Sequence, residues 1–225
     1  MLELDRVTAG YDRRVPVITG LSLAVADGEA VGLLGPSGCG KSTLARVAAL
    51  LHRPWSGTVR LEGEPVRDFR FRAPRERRTR VGVVFQQPRL AADPRLTLRD
   101  LIAEPARAGG DARGRAGGAG AALGDRVGEL ADAVGLGPAL LGRRPHEVSD
   151  GQLQRACLAR ALLLRPRLLI CDEMTAMLDA STTAALVALV EDYRREHGAA
   201  LLAVGHDRVL LRRWCERVVD FPAAP

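Results

Sequence analysis

Three clusters in this chain carry residue types whose spacing could do chemistry. The first is Gly35-Pro36-Ser37-Gly38-Cys39-Gly40-Lys41-Ser42, followed by Thr43. It fits the Gly-x-x-x-x-Gly-Lys-Ser/Thr phosphate-loop pattern. Glycines let the backbone curl so that successive N–H groups converge on phosphate oxygens. The helix that follows aims its positive N-terminal end at the same anion. In that setting Lys41 reaches the β- and γ-phosphates, and Ser42 holds Mg²⁺. The second cluster is an apolar run, Leu168 to Cys171, that ends in Asp172 and Glu173, 131 residues after Lys41. An Asp at a strand tip can bind Mg²⁺ through water, and a Glu beside it can accept a proton from an attacking water or orient it. The third is Gly205-His206-Asp207 at the end of another apolar run, where a histidine can contact a γ-phosphate.

Composition sharpens the first cluster. The chain has 33 basic residues, and Lys41 is the single lysine among them; it also has no asparagine. A compact ammonium on a flexible stem suits a phosphate loop where a planar guanidinium does not. The length of 225 residues allows one large domain, or a domain with sub-domains. No run approaches about 18 uncharged apolar residues, so no membrane span is expected. The opening Met-Leu-Glu-Leu-Asp is not a secretory signal, and the expectation is a chain that stays in the cytoplasm. Cys39, Cys157, Cys171 and Cys215 show no metal-ligand spacing and read as reduced thiols, mostly buried. Cys39 is the exception by position, because a thiol at a helix N-terminus can be acidified. The net charge of +6 comes from arginines spread along the chain, apart from a cluster between Arg67 and Arg80. With few interleaved aromatics, that cluster reads as a solvated face or docking rim, and no nucleic-acid partner is expected.

The elements that must position these clusters follow from periodicity. Residues 2–34 are β-rich, with Leu21, Leu23 and Val25 alternating with small residues and a turn at Asp27-Gly28. Tyr11 sits in a polar turn after the first strand. Thr58 to Leu61 alternates again, and Val81 to Phe85 forms a short buried strand ending in Gln86. From about 96 to 164 the apolar spacing is helical, interrupted over 106–124 by a low-complexity Ala/Gly/Arg stretch read as a mobile surface loop. Ser149-Asp150-Gly151-Gln152 opens a helix with an N-cap and anion-binding potential. A helix over about 181–197 is expected to be capped by Ser181 and stopped by Gly198. Strands alternating with helices imply a parallel sheet. The fold class expected is α/β: a P-loop NTPase core with a mainly parallel sheet, an N-terminal antiparallel β sub-domain and an inserted helical sub-domain.

The order of these motifs resembles the nucleotide-binding subunit of an ATP-binding cassette (ABC) transporter. It is carried by Tyr11, then Gly35 to Ser42, Gln86, the signature at Ser149 to Gln152, Leu168 to Glu173, Ala176-Met177-Leu178-Asp179, and His206. The resemblance covers essentially the whole of 1–225 as one ABC ATPase domain. Core and β sub-domain fall in 1–88 and 161–225, and the helical sub-domain with the signature in 89–160. It implies two such subunits face to face, each ATP lying between one P-loop and the other signature. By resemblance Tyr11 stacks on adenine, and Lys41 clamps the phosphates. Ser42, Gln86 and Asp172 serve Mg²⁺ and water, Glu173 is the general base, and His206 contacts the γ-phosphate. Ser149, Gly151 and Gln152 act in trans on the partner's nucleotide, and Asp179, at the end of the D-loop Ala176 to Asp179, is counted among the nucleotide-binding residues. The cofactors implied are ATP and Mg²⁺. The partners implied are permease subunits, a second identical or related cassette and, indirectly, a solute-binding protein. The place implied is the cytoplasmic face of the membrane.

A narrower resemblance lies in Phe85-Gln86-Gln87-Pro88, Ala92-Asp93-Pro94-Arg95-Leu96-Thr97 and Ile102-Ala103-Glu104-Pro105. This is similar to the ATPases of peptide and nickel importers, with Asp93 at a position where they carry Asn. It implies import of peptide, nickel or another small solute. The alternatives are a cassette of an exporter or lipoprotein-release system, and a soluble ABC protein acting on nucleic acid or ribosomes. Two residues depart from the family pattern: Asp150 stands where the signature commonly has Gly, and Met174 where Pro is frequent after the Glu.

Overall fold

Apolar residues at every second position make the N-terminal segments one-sided strands. In Ile18–Val25 the buried residues are Ile18, Leu21, Leu23 and Val25, with Ser22 and Ala24 facing out. The computed structural model describes residues 1–12, 14–108, 119–176 and 178–221. In chain order the elements begin β1 (Leu2–Ala9), β2 (Ile18–Val25), β3 (Ala30–Leu34), α1 (Lys41–Ala48), β4 (Ser56–Leu61) and β5 (Glu64–Pro65). They continue α2 (Arg75–Thr79), β6 (Val81–Val84), α3 (Pro88–Ala91), α4 (Leu98–Arg107), α5 (Ala119–Ala133), α6 (Pro138–Leu141) and α7 (Asp150–Leu162). The last are β7 (Leu168–Asp172), α8 (Ala180–His197), β8 (Ala200–Gly205), α9 (Arg208–Trp214) and β9 (Arg217–Asp220). The chain divides into two units, one of Met1–Gly82, Arg167–Glu173 and Tyr193–Pro225, the other of Val83–Pro166 and Met174–Asp192.

The first unit holds an antiparallel sheet in the order β2-β1-β4-β5. Leu4 lies opposite Leu23 on one side and Val59 on the other, so one face of all three strands is apolar. The register slips between Leu4 and Val7, where Arg6 takes a left-handed φ of 47°. This bulge restores the burial of Val7 and Ala9. Gly57 packs against it with φ 87°, and a Cβ there would lie 2.4 Å from the Arg6 carbonyl oxygen. No other residue type fits that position without moving the strand.

The second sheet has the order β6-β7-β8-β3-β9. The pairs β7–β8, β8–β3 and β3–β9 are parallel. Every residue of β3 and β7 is buried, which explains why both read as unbroken apolar runs rather than alternating ones. Parallel pairing brings like ends together. Leu34 lies beside Gly205, and Asp172 beside Val204. The residues that follow β3, β7 and β8 therefore leave the sheet at one carboxyl edge, where ligands of open α/β sheets bind. The fold is the expected α/β P-loop core with an antiparallel N-terminal sheet.

The second unit is helical and centres on α7, which packs against α3, α4 and α5. Its core includes Leu98, Leu101, Ile102, Val127, Leu130, Leu153, Leu158 and Leu162, all buried. Thr97 caps α4 by accepting from the Asp100 amide. The expected loop over 106–124 is corrected at both ends. The helix α4 continues to Arg107, and α5 begins at Ala119. Alanines carry the first turns of α5, and the buried Val127, Leu130 and Ala131 anchor the rest, which outweighs the glycine penalty. The remainder of that stretch, 109–118, lies outside the described residues.

Two further expectations need correction. The cap of α8 is Asp179, not Ser181: the Thr182 amide donates to Asp179 Oδ1 at 2.9 Å, and the Ser181 hydroxyl donates to the same oxygen. Asp179 stands immediately before the first residue of the helix, where a cap must lie, whereas Ser181 is already inside it and spends its hydroxyl on that carboxylate. The helix stops as expected at Gly198, φ 61°. All four cysteines are buried, Cys39 included, so its loop position does not expose it. Among the described residues, no helix is long and apolar enough to cross a membrane.

Candidate active site

Gly35 to Gly40 link β3 to α1, and glycine is needed twice for conformation. Gly38 has φ 81° and Gly40 has φ 111°; a Cβ on Gly40 would lie 2.8 Å from Ile18 Cγ2. The curl lets the loop turn its amides inward ahead of the eight-residue helix. Lys41 is only 4% exposed, and its ammonium donates to the Gly35 and Pro36 carbonyl oxygens at 2.8 and 2.7 Å. The same ammonium lies 3.6 Å from Glu173 Oε1. His206 Nδ1 lies 3.5 Å from Glu173 Oε2. Glu173 has φ 48°, a left-handed conformation, and its amide donates to the Val204 carbonyl at 2.9 Å. Backbone strain of this kind clusters at functional sites.

Ser42 donates its hydroxyl to Asp172 Oδ1 at 3.1 Å. Burial pushes the Asp172 carboxyl above its ordinary value, the Ser42 hydrogen bond works against that, and the neighbouring Glu173 adds to it. Together Ser42 and Asp172 offer two hard oxygens, the donor type Mg²⁺ prefers. The glycine cradle and the buried ammonium match a polyphosphate.

This buried acid has a measurable cost. With its folded pKa raised, Asp172 contributes most to stability while protonated, below 3.8. That contribution is lost as pH rises through the folded value. The Asp172→Asn chain without nucleotide is expected to be more stable than wild type at pH 7. The gain should shrink as pH falls through the folded value and be gone below about 3.8. Urea unfolding at both pH values measures it, and equal or lower stability of the variant at pH 7 refutes it.

Tyr11 is 61% exposed and joined to α1. Arg46 donates to its hydroxyl, Thr43 does so at 3.4 Å, and the His52 ring lies 5.1 Å from the Tyr11 ring, tilted. Neither Arg46 nor His52 stood out in the sequence; nothing local marks a residue whose partner lies more than thirty positions away.

The other expected site residues belong to the second unit. Gln86 follows β6. Ser149 caps α7 in a reciprocal box: the Gln152 amide donates to Ser149 Oγ at 3.2 Å, and the Ser149 amide donates to Gln152 Oε1 at 2.9 Å. A Cβ on Gly151 would lie 3.3 Å from Leu178 Cδ2. Asp179 uses its carboxylate on α8, and the hydroxyls of Ser181 and then Thr182 hold it well below the usual carboxylate range. Met177 lies outside the described residues. Two residues were not foreseen. Arg89 grips the segment before α7, and Gln154 donates to the Phe85 carbonyl at 3.0 Å.

A family model described as ABC transporter matches residues 18–176. The chain belongs to the ABC transporter family. It is an ATPase of that family, and ATP is its substrate. The nickel import ATP-binding protein NikE of Escherichia coli K12 is 38% identical over 210 residues, covering 93% of this chain and 76% of the relative. The oligopeptide transport ATP-binding protein OppF of Salmonella typhimurium is 37% identical over 207 residues, covering 92% of this chain and 60% of its own length. Among solved structures, a dimeric post-hydrolysis state of the ATP-binding cassette MJ0796 with ADP and Pi matches with TM-score 0.87. It is 28% identical and covers 98% of this chain and 94% of its own. The cbiO1 protein of Clostridium perfringens, part of the ABC transporter complex cbiONQ, shares the fold at TM-score 0.79 and 24% identity. That alignment covers 97% of this chain and 83% of cbiO1.

Proposed function

We propose that this cassette works as one of a pair, with Mg²⁺, on the cytoplasmic face of a membrane, and that it powers import of nickel, a peptide or another small solute. The observation that carries the reading is the carboxyl edge of the parallel sheet. There Lys41, Glu173 and His206 form an ion-paired chain, and Ser42 and Asp172, their sequence neighbours, form a hydrogen-bonded pair. The likeness to NikE and OppF supports the importer class.

In this reading the amides of Gly35 to Gly40 and the Thr43 side cradle the phosphates, and the Lys41 ammonium exchanges its two carbonyl acceptors for phosphate oxygens. Ser42 and Asp172 would hold the Mg²⁺, which when bound would neutralise phosphate charge. Glu173 takes the proton of the water that attacks the γ-phosphorus; the bond to the β–γ bridging oxygen breaks, and ADP leaves. His206, whose contact with Glu173 sets the carboxylate's orientation, meets the γ-phosphate. Tyr11 covers the adenine. Ser149, Gly151 and Gln152, on a helical sub-domain over 89–160, complete the site of the facing subunit, and Asp179 is a further nucleotide-site residue outside that sub-domain. The chain alone is then a weak ATPase, because each pocket has one wall supplied by a partner. The partners are permease subunits and a second cassette, with a solute-binding protein acting on the permease.

Affinity purification of the tagged chain from solubilised membranes tests this. The expected companions are integral permeases and a second ATPase, and uptake of ⁶³Ni²⁺ or a labelled peptide is expected to fall in cells lacking the chain. Recovery with ribosomes or nucleic acid, or with exporter or lipoprotein-release subunits and unchanged uptake, overturns it.

A further inference from the structure

Asp150 is the residue of the signature that least suits an anion site. It stands at the first position of α7, next to the cap Ser149. A carboxylate there is favourable for an isolated helix. At a helix end that must receive a triphosphate it is a like charge competing for the same positive pole.

The second unit contains a counterpart. Arg89, on the short helix α3, places Nε 2.6 Å from Asp150 Oδ1. Its Nη1 donates to the Pro145 carbonyl at 2.9 Å, and its Nη2 donates to the Val148 carbonyl at 3.1 Å. All three guanidinium nitrogens are thus spent on one six-residue stretch, 145–150, that delivers the chain into α7. A rigid fork with five donors can do this; an ammonium cannot match the geometry. Both side chains are 47% exposed, so the pair is open to solvent and salt. Gln154, one turn further along α7, ties to the Phe85 carbonyl on the other side of Gln86.

We infer that Arg89 is a positioning residue for the signature. It neutralises Asp150 and holds that carboxylate toward α3, so that the capped end of α7 stays receptive to a nucleotide phosphate. This rests on the reading of Ser149, Gly151 and Gln152 as the wall of a partner's ATP site. Arg89 itself touches no nucleotide; it acts through Asp150 and the carbonyls of 145 and 148. The signature of this chain tolerates an acid because its neutralising partner is built in, three residues after Gln86.

The test is steady-state ATPase kinetics of the assembled transporter carrying Arg89→Gln, Asp150→Asn, or both. Arg89→Gln is expected to raise KM for ATP about tenfold, with kcat changed about threefold at most. Its defect should shrink as salt rises from about 0.05 to 0.5 M, because the unpaired charge is screened. Asp150→Asn alone is expected to stay within about threefold of wild type, and the double variant to return to that level. The double variant also separates charge from folding, since it lacks the same carbonyl bonds but carries no unpaired acid. A wild-type KM for Arg89→Gln, or a double variant as impaired as Arg89→Gln, overturns the proposal. Gly151→Asp serves as the control for the underlying reading. If that variant retains wild-type KM and ATP-driven cassette pairing, the signature reading has failed. If it loses them while Arg89→Gln behaves as wild type, only the Arg89 proposal has failed.

Discussion

Replacing Glu173 by Gln is expected to lower ATP turnover by about 10²–10⁴-fold while leaving ATP binding in place. The substitution keeps the shape and removes the proposed proton acceptor. Both carboxylate oxygens are engaged in the wild type, one 3.6 Å from the Lys41 ammonium and the other 3.5 Å from His206 Nδ1. The side chain is only 8% exposed, so bulk water is a poor substitute base. The backbone at Glu173 is held at φ 48°, at a cost of about 1–3 kcal/mol, and the bond from its amide to Val204 is part of what holds it. Glutamine tolerates the same conformation, so the variant is expected to fold, bind ATP and accumulate as an ATP-bound pair. Light scattering with and without ATP, together with single-turnover hydrolysis, reads both halves. Hydrolysis at the wild-type rate removes Glu173 as general base.

Lys41→Arg is expected to lower kcat/KM for ATP by about 100-fold, equivalent to about 2.7 kcal/mol of lost stabilisation. In a chain with 32 arginines and one lysine, the change looks conservative and is not. The side chain is buried at 4% exposure under its own loop. Its single nitrogen satisfies two carbonyls, those of Gly35 and Pro36, within 2.8 Å. A guanidinium is wider, planar and one atom longer in reach, and the loop closes over the stem: Lys41 Cδ lies 3.5 Å from where a Cβ on Gly35 would sit. The loop must open or the cation must leave the phosphate side. Isothermal titration with ATP and steady-state hydrolysis measure the two consequences, and unimpaired kinetics would sink the reading of the solitary lysine.

The sequence by itself determined what depends on local pattern. Unbroken apolar runs marked β3 and β7 because parallel strands are buried on both faces. The glycine spacing of residues 35–42 marked the phosphate loop because positive φ at Gly38 and Gly40 admits little else. Ser149 before a helix-forming run announced the N-cap of α7, and the structure adds Gln152 as the reciprocal partner. The motif order was enough to predict a P-loop core with an antiparallel sheet. Composition misled where packing outweighs it. The Ala/Gly-rich start of α5 read as loop, yet the buried Val127 and Leu130 behind it give the helix something to dock. Ser181 read as a cap, yet Asp179 two residues earlier accepts the amide.

Only the tertiary structure decided which side chains meet. Parallel register set Lys41, Asp172, Glu173 and His206, spread over 165 positions, on one sheet edge. Long-range packing put Arg46 and His52 behind Tyr11, and Arg89 against Asp150. Capping and periodicity act within about a turn of chain and leave a trace in the residue order. A charge neutralised from 61 positions away leaves none, so an acid that looked out of place at Asp150 acquires its meaning only from the guanidinium folded beside it.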